Sequence, residues 1–337
     1  MHVVCTDNFA GAERSVVLSS RAIADRGHRV TVIGGEAATM RRLLEGSGVD
    51  WRPGATIPAG IRALASVGRA DIVHAHMTAA ELAAVAARPF HRGRLVVTRH
   101  FAQHRGLSPV GHLAAAVVNH TQRTEIAISA FVAERLECPS TIVHHGIEDR
   151  PAVVGDGRTV VVVQRLEAEK HTGVAIRAWK ASGLGGEGWR LQIAGDGAER
   201  AALQALATGE GVRSSVDFLG RVDDVDALRA GAALQLATPP TEHFGLSVLE
   251  AMAVGLPVIA ADGGAHRELL GDEDAALFAV GSVGAAAAVL RALALDPVAR
   301  QGLGQRLQAR QRERFSLAAH GEALERVYRS AVAGGRA

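Results

Sequence analysis

The sequence predicts two doubly wound α/β domains, each built on a parallel sheet that helices cover on both faces. Short runs that are apolar almost throughout alternate with segments of helical length, the pattern of strands buried on both faces of a parallel sheet. This alternation breaks once near the middle of the 337 residues and then restarts. A chain of that length exceeds one ordinary core and suits two domains of roughly 150 residues each.

The first half contains six predicted strands that alternate with helices. They cover residues 2–5, 29–33, 72–74, 95–98, 126–129 and 141–144. Residues 146–158, GIEDRPAVVGDGR, gather turn formers and charges without sustained periodicity, which indicates a linker. We therefore place the first domain at residues 1–150.

The second half repeats the alternation. Its predicted strands cover residues 159–163, 191–194, 216–219, 234–237, 257–260 and 276–280. Residues 297–332 show no strand signal and indicate two helices divided near Phe315, with Ser316 as the N-cap of the second. We place the second domain at residues 151–315 and a final helical segment at residues 316–337.

The composition argues against several classes of protein. Hydrophobic residues reach 48% and charged residues 21%, which are globular values, and only 4% aromatic residues predicts an aliphatic core. A net charge of +2 offers little support for a nucleic-acid partner. Two cysteines, Cys5 and Cys138, without a CxxC motif argue against a disulfide framework or structural zinc and favour a reducing cytoplasm.

No segment of the sequence predicts membrane insertion. Residues 1–8 indicate a short strand rather than a signal peptide, and no apolar run reaches the roughly 18 residues that span a bilayer. The alanine-rich residues 112–119 leave open a helix that rests on a membrane surface, although a helix packed against the sheet is favoured. Nothing in the sequence indicates an oligomeric state.

The most informative stretch is residues 241–268, TEHFGLSVLEAMAVGLPVIAADGGAHRE, which predicts loop, helix, turn, strand and loop. The helix is expected to begin at residues 244–247 and to run for about ten residues. Gly245 lets the backbone approach a ligand, and Ser247 is expected to satisfy an early amide. Free N–H groups and the positive dipole end at this helix start favour phosphate.

Two carboxylates accompany this helix start. Glu242 precedes it, and Glu250 lies about one and a half turns inside. There Glu250 can accept hydrogen bonds from the cis-diol of a ribose, while Glu242 faces whatever is attached beyond the phosphates. Two alternatives stay open, namely ordinary surface glutamates at a helix start and a glycosidase pair that flanks one bond.

A basic pair follows the first strand of the second domain. In QRLEAEKHTG, residues 164–173, Arg165 and Lys170 lie at a carboxyl strand end, where open α/β sheets bind ligands. A guanidinium and an ammonium together match a diphosphate and can stabilise its charge as a leaving group. Two solvated basic side chains in a loop are the alternative.

The segment LQIAGDGAER, residues 191–200, is similar to a dinucleotide fingerprint. Arg200 replaces the third glycine, so a dehydrogenase is disfavoured. We interpret Gly195 as part of a tight strand-to-helix turn that opens on the same ligand crevice.

The first domain offers weaker candidates. Gly11, after strand one, would let a phosphate or sugar approach the amides, with a plain turn as the alternative. His76 and His100 follow strands at carboxyl ends, where a structural role is the alternative; Asn8 and His76 are candidate acceptor contacts. The fifteen histidines lack a His-x3-His pair beside a carboxylate motif, so we predict no metal site.

Taken together, these motifs resemble the family 4 retaining glycosyltransferases of GT-B fold, in which two Rossmann-like doubly wound domains face a cleft. The most specific matches are the Glu-x7-Glu pair in EHFGLSVLE, the AMAVGLPVIA continuation and QRLEAEKHTG. The GAER turn and residues 26–30, RGHRV, extend the resemblance into the first domain, and it covers nearly the whole chain.

The resemblance implies an acceptor domain followed by a nucleotide-sugar donor domain, with a final helix, residues 316–337, that crosses back to the first. Together with Gly195, the implied donor-binding residues are Gly11, Arg165, Lys170, Arg221, Val222, Phe244, Gly245, Leu246, Ser247 and Glu250. Arg221 and Val222 would lie by the nucleobase. Glu242 would orient the transferred sugar, and His100 would contact it near the reaction centre.

The implied reaction moves a sugar from a UDP- or GDP-linked donor to a hydroxyl acceptor with retention, without a required cofactor or metal. The chain departs from the family at His145, where asparagine is usual, and at His171 and Ala265, where glycine is usual. These departures bear on fine donor specificity. A nucleotide-sugar 2-epimerase or a phosphorylase of the same fold and a non-catalytic sugar-nucleotide binder are the alternatives.

Overall fold

A computed structural model of the chain describes residues 1–102, 121, 123–152, 155 and 157–334. The chain divides into two compact units, Met1–Gly146 with Ser316–Ala337 and Ile147–Phe315. The segment Leu317–Ala333 therefore belongs to the first unit although it lies at the end of the sequence. The alanine-rich residues 112–119 lie outside the described residues.

The described part of the first unit carries a seven-stranded parallel sheet. Its strands are β1 (His2–Val4), β2 (Val30–Gly34), β3 (Val49–Arg52), β4 (Ile72–His76), β5 (Arg94–Arg99), β6 (Arg123–Ala127) and β7 (Thr141–Ile142). Their spatial order is β3-β2-β1-β4-β5-β6-β7, and every pairing is parallel. The chain winds outward from β1 on one side and from β4 on the other, so the strand order reverses between these two strands.

Helices cover both faces of this sheet. The described ones are α1 (Gly11–Ala24), α2 (Ala37–Leu44), α3 (Ile57–Val67), α4 (Met77–Ala86), α5 (Arg88–His91) and α6 (Ala130–Ala133), and the last helix of the chain joins them. One buried cluster joins Val16 and Val17 of α1 with Leu324 and Val327 of that last helix. A second cluster lies around Leu64. Two clusters of this kind are what a sheet apolar on both faces requires.

The second unit carries a six-stranded parallel sheet. Its strands are β8 (Thr159–Val163), β9 (Arg190–Ala194), β10 (Val216–Gly220), β11 (Leu234–Ala237), β12 (Val258–Ala261) and β13 (Leu277–Phe278). Their order is β10-β9-β8-β11-β12-β13, so the winding direction reverses between β8 and β11. Its α-helices are α7 (Thr172–Ser182), α8 (Arg200–Gly209), α9 (Val225–Ala230), α10 (Leu246–Ala253), α11 (His266–Leu270), α12 (Val283–Leu295) and α13 (Pro297–Arg314).

The predicted doubly wound α/β class is confirmed in both units, with differences at element ends. The strand β3 was absent from the sequence prediction because only Val49 of its four residues is buried, so it lacks a continuous apolar run. The predicted division of the C-terminal helices is confirmed. Helix α13 ends at Arg314, and α14 (Leu317–Ala333) begins after Ser316, whose hydroxyl accepts a hydrogen bond from the Ala319 amide.

Aliphatic side chains dominate both cores, as the composition predicts. In the second unit, Val160, Leu191, Ile193 and Leu234 are fully buried, and the buried aromatic members of the same cluster are Trp179, Trp189 and Phe278. Among the described residues, no helix combines the length and apolarity that crossing a membrane demands.

Candidate functional site

The candidate site lies in the second unit at the carboxyl edge of its sheet, where the strand order reverses between β8 and β11. Open α/β sheets bind ligands at such a reversal because the two connections leave in opposite directions and open a crevice. A pocket is found at this edge. Among the residues that line it are Gln164, Arg165, Lys170, Glu242, Gly245 and Ser247.

The centre of the pocket is an ion pair between Lys170 and Glu242. The Lys170 Nζ donates to Glu242 Oε2 at 2.9 Å, and the two side chains are 17% and 16% exposed. Burial alone would raise the pKa of Glu242, but the charge and the hydrogen bond of Lys170 outweigh it, so this pKa lies below its ordinary value. The carboxylate is therefore ionised at neutral pH.

The loop that carries Lys170 is held by two polar residues at strand ends. The Gln164 Nε2 donates to the Lys170 carbonyl at 3.1 Å and to Thr238 Oγ1 at 3.1 Å. The Thr238 hydroxyl also donates to the Lys170 carbonyl, at 2.9 Å. Since Gln164 follows β8 and Thr238 follows β11, the reversal point itself positions the ammonium. The sequence reasoning missed both residues, although polar side chains directly after buried strands are the signal that identified Arg165.

Arg165 lines the same pocket, but its ion pair is with Glu169 rather than with Glu242 or Glu250. Its side chain is 64% exposed and pairs with Glu169, four residues on, at 2.8 Å. Exposed pairs of this kind contribute on the order of 0.5 kcal/mol. The structure thus makes Lys170 and Arg165 unequal, with Lys170 the anchored member of the basic pair.

The helix differs from its prediction in two respects, its length and the contact of Ser247. Gly245 has φ of 100° and immediately precedes α10, which is eight residues long. The expectation that Ser247 satisfies an early amide of the helix is wrong, because its hydroxyl oxygen accepts from the Arg229 and Gln235 side chains and its hydrogen is donated to the Val163 carbonyl at 2.8 Å. That bond ties α10 to β8. Phe244 is 3% exposed and packs edge to face on Phe315, so it offers a ligand its backbone only.

Glu250 is buried beside the pocket in a paired state. It is 6% exposed, and its Oε2 accepts from Arg229 Nη2 at 2.7 Å. Arg229 is 1% exposed and also donates to Gln235 Oε1 and to the Ser247 carbonyl. Sequence reasoning missed Arg229 because an arginine on a short helix carries no sign of burial.

We expect Arg229→Met to lower the free energy of unfolding by about 3 kcal/mol, because the buried Glu250 carboxylate loses its ion pair with Arg229. Chemical denaturation measures the change. The double variant R229M/E250L removes both charges and is expected to recover most of the loss. Lys180→Met breaks an exposed pair with Glu210 and serves as the control, with a cost below about 1 kcal/mol. A loss as small in R229M as in the control would contradict this account.

Two glycines shape the backbone of the site. A Cβ on Gly195, at φ of 140°, would lie 1.9 Å from the Gln164 carbonyl oxygen, so this turn passes directly against the end of β8. A Cβ on Gly264, at φ of 61°, would lie 2.1 Å from the Glu242 carbonyl oxygen. That carbonyl accepts from the Ala265 amide at 2.8 Å, and the two loops are therefore packed backbone to backbone.

Replacing Gly264 by alanine is expected to displace the Glu242 backbone. We expect a loss of about 2 kcal/mol or more in the free energy of unfolding, from the left-handed conformation and the contact together. Thermal unfolding measures it. Gly284→Ala is the matched control, since its Cβ would meet nothing within 4 Å and an added methyl group favours helix. Equal stability of the two variants would rule out this role for Gly264.

The remaining donor-side candidates lie farther along the edge. Arg221 and Val222 follow β10, which is two strands from β8 in the sheet order. Arg221 is exposed and Val222 half-buried. The structure brings neither to the Lys170–Glu242 pair.

In the first unit, the predicted residues gather where the strand order reverses between β1 and β4. Gly11 begins α1 after β1, and the Ala10 amide donates to Glu13 at 2.8 Å. Asn8 is exposed in the same connection. His76 ends β4, and its Nδ1 lies 3.0 Å from Nε2 of His100, which directly follows β5.

His76 and His100 are both buried. They belong to a larger group of buried rings that includes His2, His74, His145 and His320. The sequence indicated His76 and His100 from their positions at strand ends, but scattered spacing concealed the group. Its members come from distant parts of the chain.

Comparisons with known proteins agree with these motifs. Residues 9–150 match the family described as Glycosyltransferase Family 4, and residues 147–313 match the family described as Glycosyl transferases group 1. In overall structure, the chain is similar to Anabaena Alr3699/HepE, crystallised in complex with UDP-glucose, with a TM-score of 0.80, 20% identity and 98% of each chain covered.

Similarity to curated proteins is partial. The exopolysaccharide phosphotransferase SCO2592 of Streptomyces coelicolor is 33% identical over 151 residues, which are 44% of this chain and 16% of that protein. The lipopolysaccharide core biosynthesis mannosyltransferase LpcC of Rhizobium leguminosarum bv. viciae is 31% identical over 235 residues, 63% of this chain and 65% of that protein. The chain thus spans less than two thirds of each of these relatives.

Proposed function

We propose that this chain, which belongs to the family 4 glycosyltransferases of GT-B fold, moves a sugar with retention from a nucleoside-diphosphate sugar to a hydroxyl acceptor. The observation that carries the proposal is the Lys170–Glu242 pair in the pocket between β8 and β11. An ammonium beside a carboxylate offers one group to a diphosphate and one to sugar hydroxyls.

Each proposed donor contact follows from its place in the second unit. Lys170 binds the diphosphate, and the backbone at Gly245 and Leu246 donates to phosphate at the start of α10. Glu250, already compensated by Arg229, binds the ribose hydroxyls. Glu242 orients the transferred sugar. The more exposed residues assist, with Arg165 at the diphosphate and Arg221 and Val222 by the nucleobase.

In the proposed step, the bond between the anomeric carbon and the phosphate oxygen breaks, and its electron pair goes to the diphosphate. The acceptor oxygen attacks the same face, and its proton passes to the departing diphosphate. Lys170 stabilises the charge that develops there, which a divalent metal would otherwise do. We therefore propose a metal-independent reaction. In the first unit, Gly11 is proposed to bind the donor phosphate, His100 the transferred sugar, and Asn8 the acceptor. His76, expected from the sequence to contact the acceptor, is 1% exposed and has both ring nitrogens bonded to His2 and His100, so it is not proposed as an acceptor contact.

The donor is proposed to carry uridine or guanosine. UDP-glucose is the ligand of the Anabaena protein, and LpcC is a mannosyltransferase by name.

The test of the proposed function incubates the protein with UDP-, GDP- and ADP-sugars, with and without EDTA, and measures nucleoside-diphosphate release. The anomeric configuration of any glycoside formed is read by ¹H NMR. If the protein neither bound nor turned over any of these donors, the proposal would be refuted. Proton exchange into the sugar without an acceptor would favour the epimerase.

A further inference from the structure

A row of hydrogen-bonded rings, all buried except the half-buried Tyr328, crosses the first unit, and the reaction as proposed above uses only one end of it. We infer that Tyr328, His2 and His76 form a hydrogen-bonded row that couples to His100 and sets which of its ring nitrogens carries the proton. These three are positioning residues in the sense that they act through His100. Their importance for catalysis rests on the proposed function, whereas the row itself does not.

The row is continuous in hydrogen bonds. The Tyr328 hydroxyl lies 3.3 Å from His2 Nε2, His2 Nδ1 lies 3.1 Å from His76 Nε2, and His76 Nδ1 lies 3.0 Å from His100 Nε2. The same hydroxyl lies 2.7 Å from His74 Nδ1, whose other nitrogen is 2.6 Å from the Thr98 hydroxyl. His2, His74, His76 and His100 are at most 6% exposed.

The fold explains why the rings meet. His2 lies on β1 and His74 on β4, and these strands pair directly with His2 opposite His74. His76 is two residues on, so its side chain leaves the same face of the sheet as that of His74. His100 follows the next strand, β5, and Tyr328 lies on α14. The strands therefore arrange the rings from the middle of the sheet to its carboxyl edge.

Proton counting leaves this row two arrangements. A neutral imidazole has one N–H donor and one acceptor nitrogen, so each bond dictates the direction of the next. If the Tyr328 hydroxyl donates to His74, then His2 donates to Tyr328, His76 to His2, and His100 donates through Nε2–H. If the Tyr328 hydroxyl donates to His2, every bond reverses and His100 carries its proton on Nδ1.

The rings are neutral at the pH of the cell, as this counting requires. Burial lowers the pKa of His2, His74 and His76 well below the usual value, with further lowering from neighbouring histidines. Burial also lowers the pKa of His100 to about 4. A mixed arrangement would set two N–H groups or two lone pairs against each other at about 3 Å, which buried groups avoid. The row therefore changes direction as a unit.

Two other interpretations of these rings, a metal site and simple packing, predict different outcomes of the test. Ligating atoms of His2, His74 and His76 lie within 4.8 Å of one another, which a metal ion could exploit. The hydrogen bonds above already use both nitrogens of each of these rings, and so the row is complete by itself. Alternatively, the rings are merely packed, and each tautomer is set only by its own neighbour.

The test reads tautomers directly. In protein with ¹⁵N-labelled histidine, long-range ¹H–¹⁵N correlation distinguishes Nδ1–H from Nε2–H, and loss of a signal in His100→Gln assigns His100. We expect Tyr328→Phe, which keeps the ring and removes the hydroxyl, to change the tautomer ratio of His100 by about fivefold, the effect of one neutral hydrogen bond. His2→Gln should also change it.

His91→Gln is the matched control, because His91 is buried in the same unit and bonds to the Ala84 carbonyl, outside the row. An unchanged His100 signature in folded Tyr328→Phe and His2→Gln protein would overturn the inference, as would stoichiometric zinc that is lost in His2→Gln. Because the measurement needs no substrate, its failure is distinct from failure of the proposed function. If both hold, Tyr328→Phe lowers kcat with little change in donor KM, and His91→Gln leaves both unchanged.

Discussion

Lys170→Ala is expected to weaken donor binding about tenfold to a hundredfold, the range for a hydrogen bond to a charged group. Lys170 is the anchored cation of the pocket, at 17% exposure, and Gln164 and Thr238 hold its loop through the Lys170 carbonyl. The variant removes the ammonium and leaves that support in place. Calorimetric titration with UDP and with GDP measures the loss.

The same variant is expected to raise the pKa of Glu242. Burial then acts on this carboxyl without the opposing ammonium, so the acidic limb of the pH–rate profile moves to higher pH. In the wild type the folded pKa is depressed, and the contribution of the pair to stability is complete above the unfolded value of about 4.3. That contribution is lost as the pH falls through the folded pKa.

Lys180→Ala is the matched control for Lys170→Ala. Lys180 pairs with Glu210 at the same 2.9 Å, but its side chain is 53% exposed and lies outside the pocket. Its loss should leave nucleotide affinity and the pH profile unchanged. Arg165→Ala should have an intermediate effect, since its guanidinium pairs with Glu169 in solvent. If Lys170→Ala bound UDP and GDP with wild-type affinity, the proposal that Lys170 binds the diphosphate would be withdrawn.

Glu242→Gln is expected to lower kcat about a hundredfold, in line with removal of one preorganised charged group, while donor KM changes little. The carboxylate is ionised and held at 2.9 Å from the Lys170 ammonium, so it would present a single orientation to the sugar of the proposed donor. Glutamine keeps the shape and removes the charge. Steady-state kinetics, with whichever UDP-, GDP- or ADP-sugar the protein uses, separate kcat from donor KM.

Glu210→Gln is the corresponding control, because it removes the acid of the exposed pair. It should retain wild-type kcat and KM. An increase in KM with unchanged kcat in Glu242→Gln would show that Glu242 serves ground-state binding, and its proposed role at the reacting sugar would then be withdrawn.

The secondary structure was largely predictable because its signals are local. Continuous apolar runs identified twelve of the strands, and the turn residues between them placed the helices. The exception, β3, is a sheet-edge strand with one buried residue of four, and such a strand differs little from a loop in sequence. The Ser316 cap was also predictable, since its contact spans three residues.

Contacts between side chains were less predictable. Arg165 and Lys170 were equivalent in sequence, yet one pairs in solvent and the other pairs in the pocket. The hydroxyl of Ser247 was predicted to bind its own helix but instead bonds to the end of β8 and to the side chains of Arg229 and Gln235. The rotamer that decides such a contact depends on the packed neighbours.

The sequence by itself determined the alternation of strands and helices, the two doubly wound units and the motifs at the carboxyl strand ends. Only the tertiary structure decided which of those residues meet: Lys170 and Glu242 are 72 residues apart, and His2 and Tyr328 are 326 apart. Periodicity records which face of an element is buried, whereas strand order decides what that face contacts. For this reason the candidate site could be predicted from sequence, whereas the Lys170–Glu242 pair, the burial of Arg229 and the row of histidines could not.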